Sequence, residues 1–420
     1  MCIEVASEDG TRILLDLGMP LYDANHEDVP RDTQQRPTRE LIAEKVLPDV
    51  AALYADDPAA PAFSAIILTH AHLDHYGLAH HAHPDIPVYG SRGTIALLEV
   101  GRIFFPDAAL PGDLRELPEH GPLLIGALAV TAIPVDHGAP DSRALFVESN
   151  GQRLLYSGDL RAHGRTGYRF DALLRDTRLH GIDWLLLEGM TLGASASPHG
   201  QRSEQDVEES LVMIARRDND KLLAVIAPGQ NLDRLVSCFR AAKRSGRLLV
   251  VDPYQAFVLM KLAPLSASIP QFTWDGIRVC FAPHQVERLR NAGLMQLVWD
   301  MRIAAKVSTD ELAENPGAYL MCARAGFGMT KVFDKIGPSR VSLVWSQWSG
   351  YWRRGGCPIR EWSERTGVEA RFVHSGGHAW PEDLKRLAEA LQPKQLVIVH
   401  TEGGAGTTFA SPPCLSSDLV

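Results

Sequence analysis

Short apolar runs recur along the chain, and each ends abruptly in a polar residue. Residues 65–69 run into His70, 130–135 into Asp136-His137, and 153–156 into Ser157-Gly158-Asp159. Residues 184–187 end at Glu188, and 396–399 at His400. Runs this short predict buried strands whose tips carry functional loops. Helical spacing occurs between them. Ser203 with Asp206 makes a capping-type start ahead of Val207, Leu211 and Ile214 on one face. Leu232, Leu235, Val236 and Phe239 repeat that spacing, as do Leu384, Leu387 and Leu391 after Pro381. The pattern predicts a mixed α/β protein. Residues 19–62, punctuated by six prolines, read as a long ordered excursion, and the aperiodic glycine-rich 403–420 as a frayed tail.

Composition narrows the class. The 420 residues are 45% hydrophobic and 22% charged, which excludes wholesale disorder and gives two or three domains' worth of chain. No stretch approaches the ~18 apolar residues of a membrane span, and Met1-Cys2-Ile3-Glu4 starts no signal pattern. Six dispersed cysteines, none in a Cys-x-x-Cys pair, indicate neither a disulfide framework nor a thiolate zinc site, so a reduced, cytoplasmic protein is expected. The net charge of −9 is unevenly spread. Residues 1–188 carry 15 basic against 28 acidic residues (−13), 189–377 carry 24 against 18 (+6), and 378–420 carry 3 against 5 (−2). A basic middle within an acidic frame suits a polyanion-binding module beside a carboxylate-rich metal site.

The densest chemistry is Thr69-His70-Ala71-His72-Leu73-Asp74-His75-Tyr76-Gly77, directly after an apolar strand. In a turn or helix start, His70 and His72 can converge on one ion while Asp74 and His75 face a second. Neutral imidazoles with carboxylates suit Zn²⁺, or Mn²⁺ where more oxygen is present. His137 can close the first shell and Asp159 can bridge both ions. Asp16, ending the run 13–15, is placed to orient a ligand histidine rather than to bind metal. His80, His81 and His83 follow without evident purpose and fit a solvated loop.

This ordered series, Asp16, His70-x-His72-x-Asp74-His75, His137 and Asp159, resembles the metallo-β-lactamase-fold superfamily of hydrolases. About 190 residues then separate Glu188 from His378, with His400 beyond it, an arrangement similar to the β-CASP group of nucleic-acid-processing hydrolases. That group includes ribonuclease J and the nuclease of mRNA 3′-end cleavage. The resemblance takes in Gly229-Gln230-Asn231-Leu232-Asp233-Arg234 and Ser346-Gln347-Trp348-Ser349-Gly350-Tyr351. It implies an αββα sandwich of residues 1–190 and 369–420, interrupted by an inserted α/β domain at 191–368. It also implies that His400 completes the second metal shell, that His378 contacts phosphate or acts as an acid, and that Glu188 orients it. A histidine at position 400 favours RNA over DNA. Where the group usually shows Ser-Gly-His-Ala, this chain has Gly376-Gly377-His378-Ala379, with Ser375 one position earlier, so Ser375, Gly376 and Gly377 are the expected phosphate contacts. The start at Met1 reads as a truncation or as the absence of a first strand. The end lacks the extra domain through which ribonuclease J dimerises, which leaves monomer and dimer open.

The activity implied is phosphodiester hydrolysis with two divalent ions, zinc or alternatively manganese. Two ions would lower the pKa of a bridging water from 15.7 to roughly 7. Asp74 would hold or deprotonate that water as well as ligate, and His378, assisted by Glu188, would protonate the leaving oxygen. Single-stranded RNA is the expected substrate, admitted to a cleft between the two domains that excludes a duplex. Trp345, Trp348, Tyr351 and Trp352 lie beside Arg353 and Arg354, a mixture able to stack bases, although Trp345 and Trp348 are placed first in the insert core. Two other readings stand beside this one. The first is a hydrolase of a small ester or nucleotide phosphate, which the acidity supports. The second is a non-catalytic RNA-binding scaffold, which predicts missing ligands where none is missing.

Overall fold

A computed structural model describes all residues except 21–28, 31, 58, 106–108, 193–202 and 402–420. The tail expected at 403–420 and parts of the 19–62 excursion lie outside the described residues. The chain divides into two compact units, one of residues 1–162, 166–195 and 377–420, the other of 163–165 and 196–376.

The first unit contains two sheets. One has five strands in the order Cys2–Ala6, Arg12–Leu17, Ala65–Ile67, Val88–Gly90 and Leu114–Glu116. Its first pair is antiparallel and the rest are parallel. The opening residues Cys2–Ala6 are thus themselves an edge strand. The other sheet has six strands in the order Gln395–Val399, Trp184–Glu188, Gln152–Tyr156, Arg143–Ser149, Leu128–Pro134 and Leu123–Ile125. Alternation along the strands decides how they stack. Ile13, Leu15, Ala65 and Ile67 of the first sheet pack against Leu128, Val130, Leu145, Val147 and Leu186 of the second. On the second sheet's other face, Phe146, Leu155, Leu185 and Leu187 meet Phe170 and Leu173 of helix Tyr168–Arg175, and Leu384, Leu387 and Leu391 of helix Pro381–Leu391. Helix Arg92–Phe104, started by Ser91 accepting from the Thr94 amide, lies against the five-stranded sheet. The layering is αββα, with strands that read as unbroken apolar runs because both faces are covered.

The second unit is built on a seven-stranded parallel sheet in the order Lys306–Val307, Ile277–Cys280, Leu248–Val251, Tyr319–Ala323, Leu222–Ile226, Val341–Trp345 and Ala370–Phe372. Leu222–Ile226 is buried at every position, as a central parallel strand should be. Helix Glu204–Arg217 begins where the sequence places it, with the Ser203 side chain accepting from the Asp206 amide. The unit extends past residue 369 because Ala370–Phe372 is hydrogen-bonded to Val341–Trp345. Residues 163–165 join it because the Arg165 amide and guanidinium bond Asp233, Glu208 and Ser237.

Candidate metal centre

Strand tips of the first unit and the turns that follow them deliver the candidate metal ligands, and the backbone at several tips takes unusual conformations. Asp16 has φ 60°, Gly158 φ 53° and His400 φ 55°, each at or just after the end of a strand. For Asp16 and His400 this left-handed turn costs about 1 kcal/mol or more and persists only where surrounding contacts impose it. Such a turn aims the side chain away from the strand's two faces. After the strand Ala65–Ile67, His72 occupies the N-cap of a one-turn helix, Leu73–Tyr76, which carries Asp74 and His75. Trp184–Glu188 pairs in parallel with Gln395–Val399, and this brings His400 back across more than 200 residues.

The side chains assemble into two overlapping ligand sets. His70, His72, His137 and Asp159 form one, and Asp74, His75, Asp159 and His400 the other, with their ligand atoms within 4.8 Å of one another. In the first set, His72 Nδ1 lies 3.1 Å from His137 Nε2, and His70 Nε2 and His137 Nε2 lie 3.6 and 3.7 Å from Asp159 Oδ2. A tetrahedral ion with bonds near 2.1 Å spaces its ligands about 3.4 Å apart, so the set has the dimensions of a metal shell. In the second, His75 Nε2 is 3.3 Å from Asp159 Oδ1, and His400 spans Asp159 Oδ1 (2.9 Å) and Asp74 Oδ2 (3.1 Å) with its two nitrogens.

Orphaned atoms reinforce this reading. His70 Nε2, His75 Nε2, His400 Nδ1 and both oxygens of Asp159 are buried without a well-formed hydrogen bond, although His400 Nδ1 and His75 Nε2 lie 2.9 and 3.3 Å from Asp159 Oδ1. Five such atoms pointing at common centres cost far too much to be incidental, unless cations satisfy them. Electrostatics agree. Burial works against ionising Asp159, yet His400 and His75 hold its carboxyl well below the usual range. Burial likewise disfavours protonated His75, but Asp159 and Asp16 outweigh it and raise the group to about 10. Burial and the neighbouring imidazoles push His70 and His137 well below their ordinary value, so both are neutral, as ligands must be. The cluster demands positive charge between its carboxylates, a demand that divalent cations meet.

Around this shell the structure fixes the ring orientations. Asp16 Oδ2 accepts from His75 Nδ1 at 2.7 Å and from the Tyr156 hydroxyl at 2.9 Å, while Oδ1 accepts from the Thr69 amide at 2.8 Å. Its acceptor capacity is therefore used away from the centre. His137 Nδ1 donates to the Gly377 carbonyl at 2.6 Å, which leaves Nε2 as the ligand atom. Glu188 accepts from the Leu160 amide at 2.9 Å and from His378 Nδ1 at 3.0 Å. His378 Nδ1 is also 3.8 Å from Asp159 Oδ2, its side chain 24% exposed where the ligand histidines 70, 75 and 137 are closed off. Burial lowers its pKa, but Glu188 and Asp159 raise it above the ordinary imidazole value.

Several supporting residues are not evident from the sequence pattern. Thr69 sits in the metal motif, and its hydroxyl reaches Asp16 Oδ2 at 2.9 Å and His70 Nδ1 at 3.0 Å. Gly18 is obligatory, since a Cβ there would lie 1.7 Å from the Asp74 carbonyl oxygen. Of the expected phosphate-contacting turn, Gly377 belongs to the first unit and binds His137 through its carbonyl, whereas Ser375 and Gly376 cluster with the second. The Ser375 hydroxyl is buried without a partner. Trp345 is core, as expected, but Trp348 is not. It is 40% exposed because its indole lies over Gly350, where a Cβ would fall 2.2 Å from the ring. His80 and His81 are not a solvated pair either. Their rings pack 4.1 Å apart, tilted by 43°, and they bond the Gln34 carbonyl and the Thr38 hydroxyl.

Residues 47–223 match the family model of the beta-lactamase superfamily domain. The chain is 28% identical over 385 residues to ribonuclease J of Sinorhizobium meliloti, covering 87% of this chain and 62% of that protein. It is 24% identical over 426 residues to ribonuclease J of Pyrococcus abyssi, covering 96% and 87%. The chain thus carries a beta-lactamase superfamily domain and is similar over most of its length to ribonuclease J. A solved protein of unknown function from Enterococcus faecalis shares the fold, with a TM-score of 0.72 at 20% identity over 95% of this chain and 90% of that one. The chain therefore spans less than two thirds of the S. meliloti relative's length. It has groups of side chains that could hold divalent metal ions. Among the described residues, no helix is long and apolar enough to cross a membrane.

Proposed function

We propose that the chain is a metal-dependent ribonuclease that hydrolyses phosphodiester bonds of single-stranded RNA. The observation that carries the proposal is Asp159, a buried carboxylate whose two oxygens face two separate histidine-rich sets, Oδ2 towards His70 and His137 and Oδ1 towards His75 and His400. In this reading His70, His72 and His137 hold one divalent ion, Asp74, His75 and His400 the other, and Asp159 both. Zinc fits the imidazole-rich first set, and manganese is the alternative for the more oxygen-rich second. Bound there, the ions supply an ionised water at neutral pH and offset charge on the phosphoryl oxygens.

The chain's own residues perform the remaining tasks. Asp16 and the Gly377 carbonyl fix the tautomers of His75 and His137, so that each presents Nε2. Asp74 accepts a hydrogen bond from the water that attacks. Glu188 holds His378 through Nδ1 and keeps it protonated, which leaves Nε2 to give its proton to the leaving oxygen. RNA as the substrate is supported by the similarity to ribonuclease J and by the +6 charge of residues 189–377. Trp348 and Tyr351, 40% and 44% exposed with the Arg354 guanidinium over both rings, offer a surface on which bases can stack. A cytoplasmic setting fits the five free cysteines among the described residues.

The test is product analysis with 5′-labelled RNA, the matched DNA and a small phosphodiester, in Zn²⁺ and in Mn²⁺, alongside metal content. RNA cleavage with about two ions per chain is expected. A fully metal-loaded protein that hydrolyses the small ester and leaves RNA intact would falsify the assignment.

A further inference from the structure

We propose that the second unit carries its own nucleotide site, a pocket that takes one base and its phosphate from a single-stranded RNA; this rests on the ribonuclease reading above. The pocket has a volume of about 370 Å³ and is lined by Phe239, Lys243, Arg247, Trp274, Asp275 and Gly276. Sites for small ligands run from ~300 to 1,000 Å³, so one nucleotide unit is of the right size.

Its walls follow from local structure. Phe239 and Lys243 are four residues apart on helix Leu232–Arg244 and so share a face, ring beside ammonium. Trp274, Asp275 and Gly276 form the turn that leads into strand Ile277–Cys280, closed by a bond from the Ile277 amide to the Trp274 carbonyl at 3.0 Å. The Phe239 and Trp274 rings lie 5.6 Å apart at 59°, and neither is fully buried, so aromatic surface stays open. A Cβ on Gly276 would approach the Phe239 ring to 3.2 Å, and its absence keeps that wall clear.

The charges specify the ligand. Arg247 is buried and donates to four carbonyl oxygens, those of Lys221, Tyr319, Ala215 and Asp218, at 2.7 to 3.0 Å. Neither Arg247 nor Lys243 forms an ion pair among the described residues, and the Asp275 carboxylate has neither an ion pair nor a side-chain hydrogen bond there. The guanidinium of Arg247 is spent on those carbonyls and only lines the wall, so the pocket offers an aromatic surface, one exposed cation without an ion pair among the described residues, Lys243, and the carboxylate of Asp275. The complement is a planar heteroaromatic ring with N–H donors and an attached anion, which describes a nucleotide. The base would lie against Trp274 and donate to Asp275 from its Watson–Crick edge, with phosphate at Lys243.

Steady-state cleavage of a 5′-labelled single-stranded RNA by the metal-loaded protein tests this, with hydrolysis of bis(p-nitrophenyl) phosphate as the control. Trp274→Ala is expected to raise KM for RNA about 10-fold at unchanged kcat, with Trp274→Phe close to wild type. Lys243→Ala is expected to raise KM roughly threefold and to reduce the salt slope by about one. Neither should alter hydrolysis of the small diester. Wild-type KM for RNA in both variants overturns the inference. Should Trp274→Ala fail to fold, the exposed Lys243→Ala and Asp275→Asn decide alone, and wild-type KM in both is refutation. Titration with adenosine and guanosine monophosphates separates the sources. Millimolar or weaker binding supports an RNA residue, whereas tight binding with RNA kinetics unaffected by the variants assigns a free nucleotide and overturns the RNA assignment. A wild-type protein that hydrolyses the diester but not RNA defeats the ribonuclease reading itself, and the RNA pocket with it.

Discussion

Replacing Asp16 with asparagine changes one oxygen for an amino group inside a fully buried side chain that faces only donors. Oδ1 accepts from the Thr69 amide at 2.8 Å. Oδ2 accepts from His75 Nδ1 at 2.7 Å, from Thr69 Oγ1 at 2.9 Å and from the Tyr156 hydroxyl at 2.9 Å. An amide nitrogen at the first position confronts a backbone N–H that has no alternative. At the second position, the hydroxyls can rotate to accept, but His75 must move its proton to Nε2, the atom that faces Asp159. One buried donor left unmatched costs about 1–3 kcal/mol, and hydrogen bonds to a neutral acceptor are worth about 1 kcal/mol less than to a charged one. Together these predict roughly 3 kcal/mol of lost stability in the metal-free protein. Removing a partner that orients a ligand histidine typically weakens metal binding by ~10–100-fold. Chemical denaturation of metal-free protein, followed by near-UV circular dichroism, measures the first quantity. Competition against a chelator, with metal content determined by mass spectrometry, measures the second. If Asp16→Asn kept both wild-type stability and wild-type metal affinity, the role of this carboxylate in holding His75 would be wrong.

The remaining predictions concern separate parts of the molecule. His378→Ala should retain two ions while losing ~10²–10⁴-fold in RNA cleavage rate, and His400→Ala should lose metal as well as activity; metal loss by the first would make His378 a ligand. In the second unit, Arg234 is buried and bonds Glu204 at 2.9 Å, as well as Ser346 and the Ser375 carbonyl. Arg234→Met should therefore destabilise by about 3–5 kcal/mol, with much of that recovered on adding Glu204→Gln, as read by denaturant midpoints. His81 is held neutral by burial and by His80, its pKa down at about 4. Because the unfolded chain binds its proton near pH 6.5, this contribution to stability is complete above that pH and is lost as pH falls towards 4. His81→Gln should flatten the decline of melting temperature between pH 6.5 and 4, and an unchanged decline would count against it.

The metal motif was legible because it is local. A buried strand followed by a tight turn must present consecutive polar residues at one tip, so His70, His72, Asp74 and His75 could be grouped from spacing alone. Structure brings all four together with His137, Asp159 and His400. The insert also reads from sequence, since a gap of about 190 residues between Glu188 and His378 needs a body of its own, yet its end does not. Ala370–Phe372 looks no different from a strand of the returning segment until its hydrogen bonds to Val341–Trp345 are seen. The exposure of Trp348 was misread for a similar reason, since what its indole covers is the backbone at Gly350 rather than the core.

Sequence by itself determined which residue types stand at each strand tip, since the alternation of apolar runs and polar tips depends only on near neighbours. Tertiary structure alone decided which tips converge and how each ring is turned. The parallel register of Trp184–Glu188 with Gln395–Val399 selects His400, and the Gly377 carbonyl selects the nitrogen that His137 presents. Those choices rest on backbone groups, and every residue carries the same ones, so no pattern of side chains announces them in advance.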